Sequence, residues 1–375
     1  MVKVSPTWVF MVVAFAALVV VHHSNTHVGL LDARERRHAE EVKRLRAMID
    51  HAQRSADAGG APVAPADAPP PPPAAAVDAA AKCAKAAPGA REAWLAVGLP
   101  TVPRADDADY LLQTLASFAA ELPRDASDPA HGSVVVFVVN THGPGHRRFD
   151  EAARLYERDS QFRFSSAAEA APPNEKRDSG NANRPGWRVR KQTRDIVSVL
   201  RAAEGAAAYF LFAEDDMKLC GHGLFAAAYV VRRAERAYPN FMAVRASFGM
   251  NGIFIHDADI AHFSAYMLAH QARRPPDHLV VEWFAGETEE SRTYRGDRQH
   301  LGFRWNFFDH IGARSTLRAQ TSGKMPACYE ELLAPVVFPV EAYHPKRCPN
   351  HDFTPCGNLR TPALDLGAMR RFRAR

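Results

Sequence analysis

The run Tyr209-Phe210-Leu211-Phe212-Ala213 is apolar and aromatic and passes without a break into Glu214-Asp215-Asp216. Bulky aromatic and apolar side chains in a short run suit a buried strand. A lone carboxylate is costly to bury, so three in succession must stand where the strand leaves the core. The stretch therefore predicts a central strand with acids at the lip of its C-terminal end. Side chains alternate along an extended backbone, so Glu214 and Asp216 are expected on one face and Asp215 on the other. Two chemistries fit: an acidic, solvated turn, or a site for a hard divalent cation shared with a phosphate-bearing ligand.

The order of the surrounding segments bears on that choice. Trp94 to Pro100 reads as a buried strand, Tyr110 to Phe118 has helical periodicity, Val134 to Val139 is a second strand, and Phe149 to Tyr156 a second helix. Strands alternating with helices predict an α/β domain with a mostly parallel sheet, and such sheets gather ligands at the C-terminal ends of their strands. A helix is expected from Arg188 to about Ala203. Arg184, Arg188, Arg190, Lys191 and Arg194 crowd its start, either facing phosphates or forming a solvated helix end, where cations are mildly unfavourable. Beyond the acids the pattern predicts a helix over Leu224–Ala237, a strand over Phe241–Arg245, a turn over 247–252 and a strand over 253–255. Asp257 and Asp277 are expected to cap two further helices.

Residues Trp8 to Val21 are uninterrupted apolar and approach the length needed to cross a hydrocarbon core of ~30 Å. No small-residue cleavage site follows, so residues 1–22 read as a signal-anchor in preference to a cleaved signal peptide. Residues 23–54 follow as a helical stem. Val28, Leu31, Glu35, His38, Val42, Leu45, Ile49 and Ala52 recur at coiled-coil spacing; the stem either pairs two chains into a homodimer or stays a single solvated helix. Residues 55–92, with the run Pro69 to Pro73, form an extended spacer. The globular region is expected over 93–320, with a tail over 321–375. The formal net charge of +5 is too mild for a dedicated nucleic-acid binder. The five cysteines contain no CxxC pair, which argues against structural zinc. Cys348 and Cys356 flank a short Pro-containing loop and read as a disulfide or as two free thiols.

Taken in order, several segments resemble the N-acetylglucosaminyltransferase IV family, Golgi enzymes that branch N-glycans from a nucleotide-sugar donor. They are Val97-Gly98-Leu99-Pro100-Thr101-Val102-Pro103-Arg104; Tyr110-Leu111-Leu112 with Thr114-Leu115; Lys191-Gln192 with Asp195; Tyr209-Phe210-Leu211 with Glu214-Asp215-Asp216; Ser247-Phe248-Gly249 with Gly252; Arg274-Pro275-Pro276-Asp277; Asp297-Arg298-Gln299; Phe308-Asp309-His310-Ile311-Gly312; and Ser315-Thr316-Leu317. The resemblance covers most of Trp94 to Leu317. Typical members continue into a carbohydrate-binding-like domain, where this chain has residues 318–375, which match nothing in the family. A transferase acting on a lipid-anchor glycan looks similar around its acid triplet, so two acceptor classes stand open.

The resemblance implies a GT-A-like nucleotide-sugar-binding fold and an inverting transfer from a UDP-sugar, UDP-GlcNAc first, to a glycan acceptor on a glycoprotein or glycolipid. It implies a Golgi membrane protein of type II orientation with a lumenal catalytic domain. A diphosphate leaving group needs its charge neutralised, which a divalent cation does as a Lewis acid; Mn2+ or Mg2+ suits carboxylate and phosphate oxygens. Asp216 is the expected metal ligand. His310 is either a second ligand or a structural histidine. Thr101, Arg104, Lys191, Gln192, Glu214 and Asp215 are expected to hold the donor. Asp277 is either the base that takes the acceptor hydroxyl's proton or a plain helix cap, with Glu282 and Glu287 next in line and Asp309 behind them. Two other classes compete: a non-catalytic lumenal protein that binds glycan or nucleotide, and a metal-dependent hydrolase, for which the chain lacks repeated His/Asp clusters.

Overall fold

The computed structural model describes residues 93–104, 107–128, 130–167, 184–312, 325–357 and 363–367. The anchor, stem and spacer expected over residues 1–92 lie outside these, as do Cys83 and Ser315-Thr316-Leu317. Among the described residues no helix is long and apolar enough to cross a membrane.

Strands β1 (Ala93–Thr101), β2 (Val134–Asn140), β3 (Phe162–Ser166) and β4 (Ala207–Phe212) run parallel, in the spatial order β3-β2-β1-β4. Helices α1 (Tyr110–Ala119), α2 (Arg147–Leu155) and α3 (Trp187–Ala203) connect them. β2 reads as a continuous apolar run because both of its faces are covered, and each of its residues is buried. On one face Leu95, Val97 and Leu99 pack with Leu111, Leu115 and Phe118 of α1. On the other, Ala96, Phe137 and Phe210 pack with Ile196 and Leu200 of α3.

After β4 the chain forms the short strand β5 (Met217–Leu219), helix α4 (Gly223–Ala237) and β6 (Ala243–Arg245). β7 (Ile253–His256) then inserts antiparallel between β4 and β6. Next come α5 (Ile260–His270), α6 (Pro276–Ala285) and α7 (Glu289–Arg295), then β8 (His300–Phe303), parallel to β6. β9 (Phe308–His310) leaves the main sheet to pair with β5, and β10 (Phe353–Thr354) closes the far edge against β8. The sheet is thus mixed and mostly parallel.

Several elements differ from expectation. β6 starts at Ala243 instead of Phe241. Asp257 caps no helix: it opens a turn of 3-10 helix ahead of α5, and its carboxylate accepts a hydrogen bond from Gly205 N at 2.8 Å. Asp277 lies inside the first turn of α6, with Pro275 at the cap position; an acid there still meets the positive end of the helix dipole.

The segment expected as a tail contributes β10 to the sheet. Besides β10, it supplies two carboxylates that neutralise buried arginines: Glu341 meets Arg245 at 2.6 Å and Asp352 meets Arg233 at 2.7 Å. Cys348 and Cys356 are joined, with Cα atoms 5.5 Å apart. A second disulfide joins Cys220, just after β5, to Cys328, with Cα atoms 5.8 Å apart.

His300 on β8 is buried against Phe284, with rings nearly parallel at 5.6 Å, and neither ring nitrogen makes a hydrogen bond. Burial, then the charges of Arg245 and Arg295, push the imidazole down to about 3 from its ordinary 6.5. The folded protein therefore keeps His300 neutral while the unfolded chain takes up a proton below about 6.5, so folding loses stability as pH falls through that range. At pH 5 this one residue is expected to cost about 2 kcal/mol relative to pH 7. His300→Leu should remove that part of the acid sensitivity. Melting curves of both proteins at pH 5 and 7 check it; equal pH dependence would refute the assignment.

Candidate active site

The site follows from topology. From β1 the chain moves out to β2 and β3, then returns to lay β4 on the opposite side of β1. The strand order reverses there, and a crevice opens beyond the carboxyl ends of β1 and β4. The first strand brings Thr101 and, just beyond it, Arg104. The second brings Glu214-Asp215-Asp216. β2 adds Thr141 and His142 at the same end, and α3 adds Trp187, Arg188, Lys191, Gln192 and Asp195. Together with Phe248, Gly249, His310 and Met325 these line a cavity of about 490 Å³, within the range of small-ligand sites.

The three acids do not alternate as an extended strand would. β4 ends at Phe212, and the acids occupy a turn closed by Met217 N donating to Glu214 O at 3.2 Å. Each carboxylate has its own partner. Asp215 accepts from Thr101 Oγ1 at 2.6 Å and forms an ion pair with Arg104. Asp216 lies 3.3 Å from the same guanidinium and 3.7 Å from His310 Nε2. Glu214 Oε2 accepts from Asn251 Nδ2 at 2.7 Å, and its backbone N donates to Asn251 Oδ1 at 2.6 Å.

Three acids face one guanidinium, and the electrostatics record the excess. Burial, then the Asp216 charge, push Glu214 up to about 7. Burial also pushes Asp215 upward, against Arg104. Burial works on Asp216 in the same sense, but the facing His310 imidazole and Arg104 outweigh it and hold that carboxyl below its ordinary range. The facing Asp216 carboxylate in turn raises His310. Arg104 is held above its ordinary range because Asp215 and Asp216 outweigh its burial. His146, buried behind the site, meets Thr101 Oγ1 at 2.9 Å. Burial, then His142, push it down to about 4. It is neutral at pH 7 and, since the Thr101 hydroxyl donates to Asp215, presents its Nε2–H to that oxygen.

His310 reaches Asp216 through register. β5 and β9 pair antiparallel with Met217 opposite His310, and Ile311 N donates to Asp216 O at 3.0 Å. Gly312 closes the approach: a Cβ there would lie 2.2 Å from Asp216 Oδ2 and 2.9 Å from His310 Nε2. A carboxylate and an imidazole facing one another, with glycine at position 312 where a Cβ would fill the space between them and negative charge in excess, fit a divalent cation. Among the described residues no group of three or more such side chains forms a closed metal cage. A cation here would thus draw its remaining oxygens from a ligand and water, as magnesium-type sites do.

No protein family's sequence pattern matches the chain, and no curated protein matches it. Among solved structures, S. aureus TarS 1–349 in complex with UDP aligns at 14% identity and a TM-score of 0.30, over 48% of this chain and 53% of that one. The longer S. aureus TarS structure aligns at 14% and 0.31, over 53% and 41%. Mouse xyloside xylosyltransferase 1 in its apo form aligns at 11% and 0.30, over 56% and 83%. The chain therefore spans about half the length of the TarS structures or less. Scores this low carry neither fold nor activity from those proteins to this chain.

The structure brings Thr101, Arg104, Lys191, Gln192, Glu214, Asp215, Asp216 and His310 into one cavity. Lys191 is already engaged there, with Asp195 at 2.7 Å and Thr141 O at 2.8 Å. Asp277 is not among the lining residues. Neither are Glu282, which is buried and held by Arg273 at 2.6 Å, and Glu287, 3.5 Å from Arg274. His146 and Asn251 belong to the site as well, through Thr101 and Glu214. The strand-end position of Asn140-Thr141-His142 points to that side of the cleft, but no sequence signal tied Asn251 to Glu214.

Proposed function

We propose that this protein transfers a sugar from a nucleotide-diphosphate sugar to a hydroxyl of a glycan, in a reaction that needs a divalent metal. The observation that carries the reading is the Asp216–His310 pair over Gly312, set in a switch-point cleft with Thr101 and Arg104 on its other lip. Asp216 and His310 would hold Mn2+ or Mg2+. Such a cation supplies charge neutralisation for a departing diphosphate.

The chain's own residues do the rest. Thr101 and Arg104 fix Asp215, and His146 orients the Thr101 hydroxyl behind them. Asn251 clamps Glu214 through both backbone and side chain, so the turn that carries Asp216 is held in place before a donor enters. Trp187, Phe248 and Met325 supply apolar wall for a base or sugar face. UDP-GlcNAc as donor, an N-glycan mannose as acceptor and inversion at the anomeric carbon are the finer form of the proposal. It includes anchoring in the Golgi membrane with the catalytic domain lumenal. The two disulfides support an oxidising compartment.

In a one-step inversion the proton-accepting base stands away from the leaving group. Asp277, outside the donor cavity at the start of α6, is proposed for that role. Full-length protein incubated with UDP-GlcNAc, UDP-GalNAc or UDP-Gal, Mn2+ and a glycan panel should release UDP with one donor and label an acceptor. Asp277→Asn should lower kcat by about 100-fold or more, at the low end of general-base contributions, and leave UDP affinity unchanged. If UDP binds but no donor is consumed, the protein is a binding protein with this fold. An Asp277→Asn variant of wild-type kcat moves the base elsewhere.

A further inference from the structure

Glu214 is held by Asn251, and Asn251 is itself held from the side opposite the cleft. It belongs to a tight turn between β6 and β7, in which Ala246 N donates to Gly252 O at 2.7 Å and Asn251 N to Phe248 O at 3.1 Å. Gly252 takes a positive φ of 65°, and a Cβ there would come within 2.5 Å of Ser247 Cβ. The turn also presents Phe248 and Gly249 to the cavity.

Behind it stands Arg245, 1% exposed. One arm of its guanidinium donates to Gly249 O at 2.7 Å and Asn251 O at 3.2 Å. The other arm and Nε donate to Glu341 Oε1, at 2.6 and 3.1 Å. Glu341, 2% exposed, comes from the C-terminal segment. An unbroken chain of hydrogen bonds therefore runs from Glu341 through Arg245 and the turn to Asn251 and Glu214.

We propose that Arg245 and Glu341 are positioning residues of the donor site, through which the C-terminal segment sets the Asn251–Glu214 clamp and the Phe248–Gly249 wall. The functional half of this inference rests on the donor reading above. A guanidinium suits the task because its planar fork serves a carboxylate and two carbonyls at once; an ammonium keeps the charge but not the fork. The fold holds a matched control: Arg233 and Asp352 form a second buried pair to the same C-terminal segment, at 2.7 Å.

The test compares Arg245→Lys with Arg233→Lys in the full chain. Both keep a cation beside a buried carboxylate, so similar falls in melting temperature are expected. Only Arg245→Lys should weaken UDP binding with Mn2+, by about 10-fold as for other outer supports of a site. Only that variant should speed amide hydrogen exchange across residues 246–252. Should Arg245→Lys not fold, Asn251→Ala cuts the last link directly and should produce the same loss of UDP affinity. Equal exchange and equal UDP affinity in the two lysine variants would overturn the proposal. If the wild-type protein itself binds no UDP, the donor reading fails, and the exchange comparison alone decides the positioning role.

Discussion

Replacing Asp216 by asparagine is expected to lower Mn2+-dependent sugar transfer by at least ~100-fold, the upper range seen when only an outer support of a metal site is lost. Asparagine keeps the shape and one acceptor oxygen but removes the charge that a divalent cation needs. The same substitution carries a pH signature in metal-free protein. Asp216 is lowered from 3.8, so it stabilises the fold above that value and loses the contribution as pH falls through its folded pKa. His310 is raised from 6.5, so it stabilises below that value and loses the contribution as pH rises through its folded pKa. The two overlap between about 3.8 and 6.5, where the stability deficit of Asp216→Asn should be greatest and shrink on either side. Transfer assays and melting curves from pH 3 to 8 check both halves. A variant that transfers sugar at the wild-type rate would sink the metal assignment.

Loss of the Cys220–Cys328 disulfide is expected to have the largest effect on stability. It closes a loop of 108 residues, worth about 4–5 kcal/mol on a chain-entropy view. Cys348–Cys356, with a separation of 8, is worth about 2–3 kcal/mol on the same view. Paired alanine substitutions at 220 and 328 should lower Tm by roughly 10 °C or more, and clearly further than the pair at 348 and 356. Cys220 is fully buried and its N–H donates to Phe307 O at 3.0 Å, so the bond also steadies the β5–β9 ladder that brings His310 to Asp216. The Cys220 pair should therefore lose Mn2+ affinity as well. Equal Tm shifts for the two pairs would contradict the loop-closure argument.

The parallel half of the sheet is legible in sequence because its strands are buried on both faces and carry long apolar runs: β1, β2 and β4 each announce themselves. β3 does not, since only Phe162 of Phe162–Ser166 is buried. β8 and β10 are too short for any period to show. The acids at the end of β4 are visible because burial physics forbids them inside a core. Their individual directions are not, because the strand stops at Phe212, before the first acid. His310 stands out as a polar group in an aromatic run, but its meeting with Asp216 depends on an antiparallel register that sets Met217 opposite His310, far apart in the chain, and that no local signal encodes. Asn251 and Glu341 belong to the same class. Each looks like an ordinary polar residue until tertiary packing puts it behind Glu214 or Arg245.

The way the C-terminal segment closes the sheet bears on the order in which the molecule is completed during synthesis. Except for Met325, every residue lining the acid cleft has been synthesised once the chain reaches residue 312. Arg233 and Arg245 have been synthesised as well, but Glu341 and Asp352 have not. Until they arrive, Arg233 and Arg245 lack the carboxylates they meet in the folded protein, and removing the carboxylate from a buried ion pair is strongly unfavourable. A nascent chain carrying nearly all of its cleft side chains is thus unable to close around them. Assembly of the cleft waits on the stretch that carries Glu341 and Asp352, so a chain terminated ahead of residue 341 should be an inert, protease-sensitive product.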